Sequence, residues 1–239
     1  MANPERQRAA FPTTLWSDIL SLGEGDPLRQ PEKLGRLIER YWKPAYWVIR
    51  SQGAKTEEDA RDLAQDFFVK LMDGRTLSTA DPKQGTFRTY LRGALKFFLL
   101  QTHTKDHRLK RNAGNPLLSL DFATAGREPA DLGSEPGAAL DRAWGHALLA
   151  EGLAALEKGL SDEGKSRDFQ VFHAYEISAP TPKPSYEEIA SRFGIGKDDV
   201  WNILRMNRRR LRSFLMDRIR DYARDENDVF DELRELFGR

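Results

Sequence analysis

The stretch from Pro184 to Leu215 constrains this chain more than any other, because its spacing admits one local structure: a helix, a tight turn and a second helix. Ser185-Tyr-Glu-Glu188 is a capping box, in which the serine caps the helix start and Glu188 reaches back to it. Ile189, Ala190 and Phe193 supply a short apolar face, and the small Ala190 lets two helices approach closely. Gly194, four residues later, permits the left-handed backbone that ends the helix. Ile195 fills the corner, and Val200 and Ile203 pin the second helix onto the first. The set fits a helix-turn-helix.

Helical hairpins with this spacing occur without any DNA partner. What points to DNA here is the run Arg205, Arg208, Arg209, Arg210 and Arg212, which a hairpin that only packs does not need. A second helix lying in the major groove would expose Asp198, Trp201, Asn202, Arg205 and Arg209. Asn202 suits adenine and Arg205 suits guanine, each pairing worth about 1–3 kcal/mol of discrimination. Lys197, Arg208 and the remaining arginines would hold phosphates, adding affinity without sequence preference.

The formal charge of +1 conceals an uneven distribution. Residues 1–85 are balanced, with 13 basic and 13 acidic side chains. Residues 86–111 set Arg88, Arg92, Lys96, Lys105, Arg108, Lys110 and Arg111 against Asp106 alone. Residues 197–220 carry eight cations against Asp198, Asp199 and Asp217, and residues 221–239 reverse the sign with seven acids against three arginines. Two basic segments predict a polyanion touched in two places.

Apolar spacing is helical throughout, so the expected fold class is all-α: two small helical domains joined by a flexible linker, the second containing the helix-turn-helix. A first helical run uses Leu34, Leu37, Ile38, Tyr41, Trp42, Ala45 and Trp47, with a kink or break expected at Pro44. Thr56-Glu-Glu-Asp59 reads as a helix start. In the helix that follows, Ala60, Leu63, Ala64, Phe67 and Leu71 form one stripe, while Asp59, Asp62 and Asp66 share a more exposed face flanked by Arg61 and Gln65. After the Asp81–Gly85 turn, Phe87, Tyr90, Leu91, Ala94, Leu95, Phe98 and Leu99 carry a third helix to about Thr104. Its mixture of rings and cations suits a single strand, whose bases stack on aromatics while cations follow the backbone. Phe87 and Tyr90, beside the turn, are the better candidates for base contact. Residues 112–137 are rich in glycine and proline and read as the linker. The second domain is expected to resume with Leu140, Trp144, Ala147 and Leu148.

Other chemistries are poorly provided for. There is no cysteine, hence neither disulfide nor thiolate. His103 and His107 stand four apart, as a metal pair on a helix would or as two solvated or phosphate-facing rings, and no third ligand shares their face. Neither a glycine-rich phosphate loop nor a nucleophile elbow is present. No apolar run approaches the ~20 residues that span a bilayer. The expectation is a cytoplasmic protein that is not an enzyme, with no cofactor, no metal and no membrane partner.

Asp62-Leu-Ala-Gln-Asp-Phe-Phe-Val-Lys-Leu71, then Asp81-Pro-Lys-Gln-Gly-Thr-Phe-Arg-Thr-Tyr-Leu91, then a basic helix, resembles the second conserved region of bacterial sigma factors, above all the extracytoplasmic-function (ECF) group. Ser185-Tyr-Glu-Glu-Ile-Ala190 through the arginine run resembles that group's fourth conserved region. The two likenesses cover about 34–111 and 140–220, in the family's order. They imply a sigma factor: residues 1–111 as the domain for polymerase docking and for minus-ten recognition and melting, 112–137 as linker, 138–220 as the helix-turn-helix domain and 221–239 as an acidic amphipathic extension. Asp62, Gln65 and Asp66 would contact the clamp coiled coil of core RNA polymerase. Phe87, Arg88, Tyr90, Arg92, Lys96, Lys105 and Arg108 would meet the minus-ten element of promoter DNA, with a base flipped out of the stack. Lys197, Trp201, Asn202, Arg205, Arg208 and Arg209 would read the minus-thirty-five duplex. An anti-sigma factor or a regulatory kinase would be a further partner, with Ser51 and Thr56 as hydroxyls near the docking helix.

The chain departs from the family at several points. Arg61 stands where the family has an acid. Asp199-Val-Trp-Asn-Ile203 replaces a helix start with more cations, and Asp198 and Asp199 would repel phosphate. The linker is longer than usual. The tail, with Phe230, Leu233, Leu236 and Phe237 at helical spacing, would either fold onto the second domain and screen its arginines or complete the core as an ordinary surface helix. A stand-alone helix-turn-helix regulator of duplex operator DNA is the competing reading.

Overall fold

A computed structural model describes residues 30–52, 54, 56–72, 81, 85–104, 129, 131–223 and 225–238. Among them the chain forms helices and no strand. In order these are α1 (Gln30–Gln52), α2 (Glu57–Met72), α3 (Phe87–Thr104), α4 (Pro136–Asp162), α5 (Ser166–Glu176), α6 (Tyr186–Phe193), α7 (Lys197–Arg220) and α8 (Glu226–Phe237). They sort into two compact units, divided between Ala147 and Leu148 and again between Arg218 and Ile219. The first unit therefore contains α1–α3, the start of α4 and the C-terminal segment, and the second is continuous in sequence.

In the first unit, α2 starts on a reciprocal cap. The Thr56 N–H donates to Asp59 Oδ2 (3.1 Å), and the Asp59 N–H donates to Thr56 Oγ1 (3.1 Å). Ala60, Leu63, Ala64, Phe67 and Leu71 are buried as their spacing predicts, and so are Phe87, Leu91, Leu95, Phe98 and Leu99 of α3. α1 runs through Pro44 unbroken, so of the kink or break expected there the break does not occur. Tyr41 sits at the centre, stacked on Trp144 at 4.6 Å and meeting the edge of Phe87 at 5.2 Å. The Trp144 indole N–H donates to the Tyr222 hydroxyl (3.1 Å). Burial pushes both tyrosine hydroxyls above their ordinary pKa.

These contacts correct the expected domain limits. Leu140 and Trp144 belong to the first unit's core, not the second's, because an apolar stripe says that a helix face is covered but not by what. Of the two places expected for the tail, the structure selects the second, a surface helix that completes a core. It forms the predicted amphipathic helix, with Asp225 accepting from the N–H groups of Asn227 and Asp228, but it packs on the first unit. Most of the expected linker lies outside the described residues; its last two positions, Pro136 and Gly137, already belong to α4.

The second unit is built around Leu156, Leu160, Val171, Phe172, Ile189, Ala190, Val200 and Leu204. Burying such side chains stabilises by about 1.5–3 kcal/mol each, which holds short helices that would be marginal alone. Gly152 is placed by packing: a Cβ there would stand 2.7 Å from Leu211 Cδ1 and 3.2 Å from Phe214 Cδ1, so α4 and α7 touch closely at this point.

Candidate nucleic-acid interface

In the second unit, α6 begins with the full capping box: the Glu188 N–H donates to Ser185 Oγ (3.2 Å) and the Ser185 N–H donates to Glu188 Oε2 (2.7 Å). Gly194 ends the helix in the left-handed conformation, with φ of 64°, and its N–H donates to the Ala190 carbonyl. After Ile195 and Gly196, α7 starts. Asp199 accepts from the Gly196 N–H (3.1 Å), so this carboxylate is turned back onto its own helix start and reads as a cap rather than a phosphate repellent. Val200 and Leu204 face Ile189 and Ala190 in the core, which turns the opposite side of α7 outward.

That outward side sorts the arginines into two kinds. Arg208 is held by Glu176 of α5 (2.7 Å) and Arg210 by Glu163 (2.9 Å), while Lys197 pairs with Glu187 of α6. The upward push of burial on Glu176 is overcome by Lys183 and Arg208, which keep its pKa below the ordinary glutamate value. Arg205, Arg209 and Arg212 are exposed and make no ion pair among the described residues. With Trp201 they lie four, four and three residues apart, one stripe along the helix. Trp201 is 48% exposed, and the Arg205 guanidinium lies over its ring at 4.9 Å from the centroid. Asn202 is exposed beside it. Of the duplex-facing residues expected from sequence, Trp201, Asn202, Arg205 and Arg209 therefore form a coherent surface, and Arg212 extends it. Lys197 and Arg208 are exposed but already paired.

Comparison with protein-family models, curated proteins and solved structures finds no match.

The basic helix of the first unit is organised differently. Arg88 is 1% exposed and donates to Glu232 of α8 (2.8 Å), with Asp141 of α4 and Glu235 of α8 on its other nitrogens. Although burial opposes its charge, Glu232 and Asp141 raise its pKa further, so it is permanently ionised. Glu232 itself is pushed up by burial in spite of Arg88. Arg92 donates to Asp141 (3.0 Å) and Lys96 to Glu135 (3.3 Å). Arg88, Arg92 and Lys96 are thus each met by carboxylates of the same unit.

Two expected base contacts are corrected here. Phe87 is fully buried against Tyr41 and Tyr90, and Arg88 is the centre of an internal ion cluster, so neither surface is open to a nucleic acid. Tyr90 is half-buried, and Arg92 and Lys96 are exposed. Lys105 and Arg108 lie outside the described residues, as does His107, and nothing is assigned to the His103 side chain. Sequence reasoning overlooked Phe97, 63% exposed, and Leu100. The signal was available: both fall off the buried stripe of Phe87, Leu91, Leu95 and Phe98 while sitting beside Lys96.

On α2, Asp62 is exposed and, among the described residues, without an ion-pair partner, while Gln65 and Asp66 are half-buried. Arg61 pairs with Glu57 one turn earlier (2.6 Å), so the cation beside Asp62 is neutralised locally. No helix among the described residues is long and apolar enough to cross a membrane.

Proposed function

We propose that this chain is a sigma factor of the ECF type, which joins core RNA polymerase in the cytoplasm and directs it to promoters. The observation that carries the reading is the Trp201–Arg205–Arg209–Arg212 stripe on the helix that follows a capped helix and a left-handed glycine. A stripe of unpaired cations bordered by an indole and Asn202 is suited to duplex DNA: arginine and asparagine meet base edges, and the outer arginines meet phosphates. Asp62 and its neighbours one turn on, Gln65 and Asp66, would dock on the polymerase clamp, and polymerase would perform the chemistry. In the first unit the promoter strand would meet Tyr90, Arg92 and Lys96 rather than the buried Phe87 and Arg88.

The test is initiation by purified chain and core polymerase on supercoiled templates carrying a library of bacterial upstream sequences. Specific initiation that depends on the chain is expected, and Asp62→Lys should abolish polymerase binding while leaving helix content unchanged. The engagement of Arg88, Arg92 and Lys96 by internal carboxylates favours one second reading, a regulator that binds duplex operator DNA through the second unit alone. Tight, sequence-specific duplex binding with no initiation and no polymerase binding would select that reading.

A further inference from the structure

Arg205 differs from its neighbours in what holds it. Arg208 and Arg210 are fixed by carboxylates of α5 and of the segment after α4, whereas Arg205 lies over the ring of Trp201, one turn earlier. The indole is half out of the protein core at 48% exposure, so it is not there to fill the interior. A guanidinium lying on an aromatic face loses torsional freedom while keeping all five N–H donors at its edge. Those edge donors are what a guanine O6/N7 pair accepts from. A carboxylate partner would have consumed them. The ring is the one kind of partner that orients arginine and leaves its hydrogen-bonding fork open.

We propose that Trp201 is a positioning residue for base recognition: it holds Arg205 in the extended posture that reads a guanine in duplex DNA. The inference rests on the reading of α7 as the duplex-facing helix. Preference for guanine at one base pair then depends on an indole that makes no hydrogen bond to that base. Trp201→Ala costs discrimination at a single position, and not affinity in general. Trp201→Phe, which restores a ring beneath the guanidinium, recovers most of it.

The experiment uses the full-length chain. A duplex is selected from a random library with the wild-type protein, and each of its base pairs is then substituted in turn. Affinities are measured at fixed salt for the wild type, Trp201→Ala, Trp201→Phe, Arg205→Ala and Arg205→Lys, with thermal midpoints recorded alongside. Arg205→Ala should erase a guanine preference at one base pair. Trp201→Ala should reduce that same preference by about threefold, as expected for an exposed cation–π contact, with binding to unrelated duplex and the thermal midpoint unchanged. Trp201→Phe should return towards wild type and Arg205→Lys should not. The proposal is overturned if Trp201→Ala weakens all duplexes equally, leaves the guanine preference intact, or is matched by Trp201→Phe. If the wild type selects no sequence at all, the duplex-reading function itself falls, and this inference with it; the other failures leave that function standing.

Discussion

Arg88 shows how far a residue's chemistry depends on what the chain folds over it. A cation beside aromatics in a basic segment is, by composition, a nucleic-acid contact, yet three carboxylates from two other helices surround it. The cost of removing it follows from what remains. Arg88→Ala leaves Glu232 buried without its counter-charge and should destabilise the first unit by about 3–5 kcal/mol, measured by urea denaturation. Arg88→Met combined with Glu232→Leu should recover most of that loss, since an apolar pair of similar volume removes the unpaired charge. Glu176 in the second unit gives a pH signature. Its folded pKa lies below the ordinary value of 4.5, so its stabilising effect is fully present above that value and is lost as pH falls through the folded pKa. Glu176→Gln should therefore flatten the acid side of the second unit's stability curve below pH 4.5 and leave stability at neutral pH lower than in the wild type.

At the scale of elements, α6 and its turn are fixed by interactions within ten residues. Ser185→Ala removes one arm of the capping box and should cost about 1 kcal/mol. Gly194→Ala meets no atom within 4 Å, so its cost is the left-handed backbone alone, about 1–2 kcal/mol. Both are checked by thermal unfolding of the full chain. Their locality explains why this part was readable in advance: the serine, the glutamate and the glycine each specify a backbone hydrogen bond or dihedral without reference to anything distant. The buried stripes of α2 and α3 were readable for a related reason, because spacing alone tells which face is covered. The identity of the cover is not encoded that way. Leu140 and Trp144 fit any core, and Tyr41 meets Trp144 only in three dimensions. Likewise α8 carries a good amphipathic pattern, but its place is decided by Val229 and by Glu232 meeting Arg88 across 144 positions of sequence. The Trp201–Arg205 contact was half legible, since four-residue spacing brings the side chains together, whereas the sorting of paired from unpaired arginines needed Glu163 and Glu176 in place.

For the molecule as a whole, two units mean two sets of properties that separate experimentally. Stopping the chain before Asp225 removes Val229, Glu232 and Glu235 and should lower the thermal midpoint of the first unit, with hydrogen exchange accelerating around Tyr41 and Leu91. Exchange in Ile189–Leu204 should hardly change, because the described core residues around it all lie between Leu153 and Leu211. A fragment ending at Arg111, the boundary that composition alone would choose, should not fold, for it lacks Trp144 and Tyr222 as well.

The threading of the first unit also sets the timetable of biosynthesis. Its opening helices emerge from the ribosome early, but they cannot close until the segment beyond Ile219 has followed, with the whole second unit translated in between. At about 5–20 residues per second, the intervening residues impose a wait on the order of several seconds. During that wait the nascent chain must carry Trp144 without Tyr222, and Arg88 with Asp141 but without Glu232 and Glu235.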